Sequence, residues 1–61
     1  MIEFKPDVEY KFTNREDPSW VIEGYKYSND DDNGKLTFYG HGGNQQFRPE
    51  EFESDWIVEE V

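Results

Sequence analysis

The amino-acid composition predicts an all-β domain. The chain has no alanine and a single leucine, Leu36, and these two residue types are the best apolar helix formers. Val, Ile, Thr, Tyr, Phe and Trp, which favour strands, are plentiful instead. Eleven residues are aromatic (two Trp, four Tyr and five Phe), and each can bury ~150–250 Å², so a few of them suffice for a small core. The 61 residues fit one small domain, residues 1–61.

The first strand is predicted over residues 8–13. Val8, Tyr10 and Phe12 alternate with polar or charged residues, which is the pattern of a strand with one buried face. Residues 14–19 include a proline and are predicted to be the loop that follows this strand.

The second predicted strand starts at Trp20, ends at Tyr27 and changes phase on the way. Trp20 and Ile22 share one face, whereas Tyr25 and Tyr27 fall on the other, with Gly24 at the break. A bulge or sharp bend at Gly24 would return all four large side chains to a common face. Such a bend is how a short sheet curls towards a barrel.

A tight hairpin turn is predicted at Asp32-Asn33-Gly34, because Asn-Gly tolerates the positive φ angles that such turns need. In the strand that follows, Leu36 and Phe38 should face inward. The side chains beside them should face outward: Lys35, Thr37 and Tyr39.

The glycine-rich segment Gly40-His41-Gly42-Gly43 is interpreted as a corner loop between this strand and a helical turn. Its glycines should provide positive φ angles or close backbone packing between the two elements. His41 and Gln45-Gln46 should be exposed at the loop tip.

One helical turn over 47–52 and a last strand over 55–61 complete the predicted fold. Pro49 suits the first helical position, and Phe47 and Phe52 can anchor the turn to the core. Four to five antiparallel strands, one glycine bend and one short helical turn before the last strand resemble, in layout, small SH3-like barrels. We therefore expect a partly open SH3-like barrel. The resemblance is one of layout and carries no functional residues across.

Charge limits the classes of partner. Fifteen acidic residues against six Lys and Arg give a formal net charge of −9, which repels nucleic-acid phosphates and anionic lipid and attracts basic proteins. The six basic residues are scattered, so we expect no direct binding to nucleic acid and none to membranes. The start of the chain has neither the basic region nor the apolar run of a secretion signal, and the expected location is cytoplasmic.

No catalytic residue, cofactor or metal site is expected. Asn29, Asp31 and Asn33 partly follow the EF-hand loop, but position twelve is Gly40 where a bidentate glutamate belongs, so a solvated turn is the preferred interpretation. His41 is the only histidine, and a metal site needs three or four converging ligands. No Gly-x-Ser-x-Gly motif accompanies the His-Gly-Gly stretch, and no lysine lies near it as in a phosphate-binding loop.

The expected function is that of a non-enzymatic, acidic protein-binding module. One form of it is a nucleic-acid mimic that inhibits a host nucleic-acid-binding protein, a mode of action expected of small phage proteins. Carboxylates on alternate strand residues lie ~6.6 Å apart on one face, a spacing that can imitate phosphates. The candidate partner-binding residues are Asp30, Asp31, Asp32, Tyr39, Glu50, Glu51, Glu53, Asp55, Glu59 and Glu60.

The alternative is a structural or assembly module, such as a small subunit or a self-associating barrel, whose acidity only maintains solubility. Tyr39 points outward by alternation, and Trp20 and Trp56 are expected to be only partly covered. Aromatic side chains of this kind are enriched in interfaces, so a homodimer is a second expectation.

Overall fold

The computed structural model of the protein describes residues 3–29, 31 and 33–61. Within these residues there are five strands and one short helix: β1 (Glu9–Asn14), β2 (Val21–Tyr27), β3 (Leu36–Gly40), β4 (Gly43–Phe47), α1 (Glu51–Ser54) and β5 (Trp56–Glu60). All strands pair antiparallel in one sheet of order β4-β3-β2-β1-β5, which confirms the all-β class. No helix in the described part of the chain is long and apolar enough to cross a membrane.

The sheet is open. Strands β4 and β5 are its two edges and do not pair with each other over the described residues. β1 lies between β2 and β5, and its pairing with β5 runs from Tyr10 opposite Glu60 to Asn14 opposite Trp56. The first strand therefore joins the middle of the chain to its last strand.

The bulge predicted at Gly24 is confirmed. Tyr10 of β1 lies opposite Tyr25 of β2, and Phe12 lies opposite Ile22, so β2 takes three steps where β1 takes two. Gly24 has a φ of +78°, in the left-handed region that favours glycine. The extra residue puts Ile22 and Tyr25 on the same side of the sheet as the buried rings of β1.

The core consists almost entirely of aromatic rings. Phe12 and Phe38 are completely buried, and their ring centres lie 5.0 Å apart in an edge-to-face arrangement. Edge-to-face and offset aromatic pairs stabilise the fold by more than the burial of their surface alone. The buried hydrophobic residues are Tyr10, Phe12, Tyr27, Phe38, Phe47, Phe52 and Trp56.

Phe4 packs against the core although it lies before β1. Its ring centre is 4.9 Å from that of Tyr10, and 5.1 Å from those of both Phe38 and Phe52. The backbone N–H of Lys5 donates a hydrogen bond to the Tyr10 hydroxyl at 2.8 Å, which fixes this segment. Phe4 precedes the first alternating stretch, so periodicity does not predict its place here.

The expected corner loop after β3 is instead a hairpin. Gly40 lies opposite Gly43, so the chain reverses through His41 and Gly42 alone, and residues 43–47 form the edge strand β4. The prediction of a loop tip at Gln45-Gln46 is therefore wrong, whereas His41 is exposed as expected. Gly, Asn and Gln have weak strand propensity, but pairing with β3 determines the conformation here.

The hairpin glycines serve two different needs. Gly43 has a φ of +101°, whereas Gly40 and Gly42 are needed for space. A Cβ on Gly40 would lie 2.8 Å from the Gly24 carbonyl oxygen, and a Cβ on Gly42 would lie 2.7 Å from the Tyr25 hydroxyl. The close packing expected of these glycines is thus made with β2, and not with the helical turn.

The turn at Asn33-Gly34 is confirmed by φ angles of +53° and +76°. It is not a tight hairpin turn, because β2 ends at Tyr27 and β3 begins at Leu36. Asp32, the first residue of the predicted turn, lies outside the described residues.

In β3, Leu36 packs against the core and Phe38 is buried in it, as predicted. Thr37 projects to the opposite face but is only 6% exposed, which corrects the expectation that it is open to solvent. Gln46 of β4 lies directly opposite and its side-chain amide donates to the Thr37 hydroxyl at 3.4 Å, so this neighbour helps to cover it.

Candidate protein-binding surface

The predicted helical turn is present but begins later than expected. The Arg48 carbonyl accepts a hydrogen bond from the Glu51 N–H at 2.9 Å, so the chain enters α1 through a tight turn with Pro49 in its second position. Pro49 precedes the N-cap residue Glu50, which corrects its placement as the first helical residue. Phe47 and Phe52 are both buried and 5.5 Å apart, which confirms them as the anchors of this segment.

The three glutamates of this segment have different roles. Glu50 and Glu53 are exposed, so the anchored turn directs both towards solvent. Glu51 is half-buried, and its carboxylate accepts a hydrogen bond from the backbone N–H of Arg48 at 2.6 Å. This hydrogen bond spans the turn that leads into α1, so Glu51 stabilises the turn.

The β1–β2 loop lies against α1. Arg15 donates from its backbone N–H to the Asp55 carbonyl at 2.8 Å and from its guanidinium to the Phe52 carbonyl at 3.0 Å. This contact follows from β1–β5 pairing, which places Asn14 opposite Trp56. Two segments far apart in sequence therefore meet at one end of the sheet.

Two acidic residues of this loop join those of the helical segment. The Asn14 side chain accepts hydrogen bonds from the N–H groups of Glu16 and Asp17 at 3.0 and 2.9 Å, an Asx turn that fixes the loop. Both residues are exposed. We call the following set the acidic end: Glu16, Asp17, Glu50, Glu53 and Asp55. The periodicity of the sequence does not identify Glu16 and Asp17 as members, since strand pairing alone brings them there.

Trp20 lies at the acidic end and is 55% exposed. Its backbone N–H donates to the Asp17 carbonyl at 2.9 Å, and its ring centre lies 5.1 Å from that of Trp56 at an interplanar angle of 74°. Trp56 is only 6% exposed. The expectation of partial cover is therefore confirmed for Trp20 and wrong for Trp56, which packs against Phe47 in the core.

Among the predicted aspartates, Asp31 is described and exposed, whereas Asp30 and Asp32 lie outside the described residues. The Tyr27 hydroxyl donates to the Asp31 carboxylate at 2.8 Å. Burial, followed by this hydrogen bond, raises the pKa of Tyr27 to about 12. Over the residues that the structure describes, no three His, Asp or Glu side chains are grouped so as to hold a metal ion.

Tyr39 points outward, as predicted, and is 38% exposed. Its hydroxyl donates to the Asp7 carboxylate at 2.9 Å, and this hydrogen bond is the main reason that the pKa of Tyr39 is raised. On the sheet, Tyr39 lies opposite Lys26. This position separates it from the acidic end.

Glu59 and Glu60 are consecutive on β5, so their side chains lie on opposite faces of the sheet. Glu59 lies opposite Lys11, and Glu60 forms an ion pair with Lys5 at 3.9 Å. Both lie about 10 Å or more along the strand from Trp56, at ~3.4 Å per residue. The structure does not bring them to the acidic end.

Charge is unevenly balanced over the molecule. On the outer sheet face, Glu9 lies opposite Lys26 and Glu59 opposite Lys11, so acidic and basic side chains alternate there. Two arginines lie beside the acidic end: Arg15, whose guanidinium donates to a backbone carbonyl, and Arg48, which is exposed two residues before Glu50. Negative charge therefore predominates at the end formed by α1 and the β1–β2 loop.

No family model matches the chain, and no curated protein or solved structure is significantly similar to it. No residue role is therefore carried over from a relative. The acidic end, with Trp20 beside it, is the candidate surface on geometry and charge alone.

Proposed function

We propose that this chain is a non-enzymatic, acidic protein-binding module whose acidic end binds a basic surface of another protein. The observation that carries the proposal is the scarcity of internal ion pairs. Thirteen of the fifteen acidic residues are described, all but Asp30 and Asp32, and among the described residues only Glu60 lies within 4 Å of a basic group, that of Lys5. Carboxylates without an internal counter-ion remain available to a basic partner.

Rigidity supports the more specific form of the proposal, a nucleic-acid mimic. The acidic end is held by the Asx turn at Asn14, by the two Arg15 contacts and by the buried ring of Phe52. A backbone held in this way loses less conformational entropy on binding than a mobile one. In this proposal a cytoplasmic phage-type protein occupies the basic site of a host nucleic-acid-binding protein, without binding nucleic acid or membranes itself.

The scaffold in this proposal is a small SH3-like, partly open barrel. Its support is the strand order β5-β1-β2-β3-β4, with the single helical turn between β4 and β5 and a glycine bulge in β2.

Competition with nucleic acid tests the function. A nucleic-acid-binding protein captured from host extract should release a labelled oligonucleotide when this protein is added, and the competition should weaken as salt is raised. A stable complex containing the partner, the oligonucleotide and this protein together contradicts mimicry.

A matched pair of triple variants locates the surface. Neutralising Glu50, Glu53 and Asp55 to the corresponding amides should abolish competition. Neutralising Glu9, Glu23 and Glu59 removes the same charge from the sheet strands and should have little effect. Equal loss in both variants would mean that net charge, and not the acidic end, drives binding.

The assembly module remains as a second candidate because of the edge strand β4. Residues 36–47 contain no Asp, Glu, Lys or Arg, and β4 has no proline, so this edge lacks the usual protection against strand addition. Self-association through it should strengthen with salt, because salt screens the repulsion between acidic copies, whereas binding to a basic partner should weaken. Sedimentation at two protein concentrations and two salt concentrations distinguishes self-association from binding to a basic partner. A protein that is monomeric under all four conditions contradicts the assembly module.

A further inference from the structure

We propose that Trp20 is the anchor of this surface and that it receives an arginine side chain of the basic partner, with the guanidinium over the indole ring and paired with carboxylates of the acidic end. This inference rests on the proposed function and specifies the chemistry of its contact. Trp20 is the most exposed aromatic side chain among the described residues, and tryptophan gives the strongest cation–π contact of the aromatic residues.

Trp56 leaves at least one face of the Trp20 ring uncovered, and the residue is 55% exposed. Trp20 and Trp56 meet edge to face, at 74°. If the edge of the Trp20 ring contacts the Trp56 ring, Trp56 covers neither face of Trp20. If the edge of the Trp56 ring contacts the Trp20 ring, Trp56 covers one face of Trp20 and leaves the other uncovered. In either arrangement a planar group can stack on Trp20 without displacing Trp56 from the core.

The backbone of Trp20 is fixed before any partner binds. Its N–H donates to the Asp17 carbonyl at 2.9 Å, and its carbonyl accepts from the Asn14 N–H at 3.0 Å. Trp20 thus lies between a structured loop and the start of β2. An anchor held in this way loses little further backbone freedom on binding.

The surrounding charge selects the occupant. The Asp17 carboxylate accepts hydrogen bonds from the Ser19 N–H and hydroxyl at 3.2 and 2.6 Å but has no counter-ion among the described residues. An apolar partner covering Trp20 would remove water from this carboxylate and leave its charge without a counter-ion, which is costly. A second copy of the chain would bring two acidic ends together. A guanidinium can stack on the aromatic ring and pair with a carboxylate at the same time. An ammonium group is more strongly hydrated, so it is less suited to this contact. The chain's own nearby cation, Arg15, is directed to the Phe52 carbonyl.

The test uses two short peptides as probes, one of alternating arginine and glycine and one of alternating lysine and glycine. Titration of the isotope-labelled protein should shift the indole N–H resonance of Trp20 and leave that of Trp56 nearly unchanged, with tighter binding of the arginine peptide. This readout needs no variant, so it does not depend on a substituted protein folding.

Substitution of Trp20 then separates the contribution of its aromatic face from that of its apolar bulk. Trp20→Leu keeps an apolar side chain without the aromatic face. It should weaken the binding of the arginine peptide roughly 5-fold. Ile57→Ala, at another exposed apolar residue on the outer sheet face, should leave the affinity unchanged.

The possible failures are distinguishable. An unchanged affinity in Trp20→Leu, an unshifted Trp20 resonance, or equal affinity for the lysine peptide overturns the anchor while leaving the proposed function intact. Peptide binding that is insensitive to neutralising Glu50, Glu53 and Asp55 overturns the proposed function as well.

Discussion

Replacing Gly42 by alanine probes the contact between the β3–β4 hairpin and Tyr25. A Cβ at this position would lie 2.7 Å from the Tyr25 hydroxyl oxygen, and no other heavy atom beyond its neighbours lies within 4 Å. The φ of Gly42 is outside the left-handed region, so alanine meets no backbone strain there. The whole structural cost of the substitution therefore comes from one oxygen atom.

Two opposing effects determine how much Gly42→Ala changes the free energy of unfolding. Alanine in place of glycine stabilises by ~0.4–1 kcal/mol, because it reduces the freedom of the unfolded chain. Overpacking costs ~1–3 kcal/mol, and we expect the middle of that range because Tyr25 is half-buried and must shift to relieve the contact. The net loss should be about 1 kcal/mol, or a decrease of roughly 4–8 °C in the thermal midpoint of a domain this small.

A double-mutant cycle gives the decisive measurement. In a Tyr25→Phe background the obstructing oxygen is absent, so Gly42→Ala should stabilise by ~0.5 kcal/mol and its sign should reverse. Urea denaturation followed by circular dichroism measures all four proteins. Gly40→Ala is the control, because its Cβ would meet the Gly24 carbonyl oxygen at 2.8 Å and ring carbons of Tyr25 at 2.9 and 3.0 Å, none of which Tyr25→Phe removes. An equal cost of Gly42→Ala in both backgrounds refutes the reasoning.

Three further predictions concern charge, pH and the β1–β2 loop. Added NaCl should raise the thermal midpoint, because most described carboxylates lack an ion pair, and a midpoint that falls with salt contradicts this. The raised pKa of Tyr27 disfavours its ionised form in the folded state, so the free energy of unfolding should fall between about pH 10 and pH 12. In pH-dependent denaturation Tyr27→Phe should reduce that decrease, with Tyr39, whose pKa is also raised, contributing to the remainder, and an unchanged decrease contradicts the assignment to Tyr27. Arg15→Ala should destabilise by ~1 kcal/mol in urea denaturation, through loss of the bond to the Phe52 carbonyl, whereas Arg48→Ala should have a smaller effect.

Several elements of the fold are predictable from local patterns. The phase change between Ile22 and Tyr25 identifies the bulge at Gly24, because large side chains of a strand must reach the same core. Asn33-Gly34 identifies a turn by its tolerance of positive φ. In each case the signal lies within a few residues of the feature it predicts.

The elements that periodicity misses depend on pairing with another strand. β4 has an amide-rich sequence with no apolar alternation, and it is a strand because Gln45 and its neighbours pair with β3. Glu16 and Asp17 reach the acidic end only because β1 pairs with β5. Trp20 and Trp56 have similar sequence contexts, yet one is half exposed and the other is in the core, since Trp56 packs against Phe47 of the core, whereas Trp20 precedes β2 and lies against Trp56.

The pairing of β1 with β5 also has a consequence for synthesis on the ribosome. Contacts between Asn14 and Trp56, and between Tyr10 and Glu60, join residues from the two ends of the sequence. A chain made from its N-terminus can form the β1–β2–β3 meander early, but Phe12 keeps an uncovered flank until Val58 emerges opposite it. Closure of such non-local contacts is slow. The aromatic core is thus completed only after β5 is released, and until then the nascent chain exposes rings that the finished protein conceals.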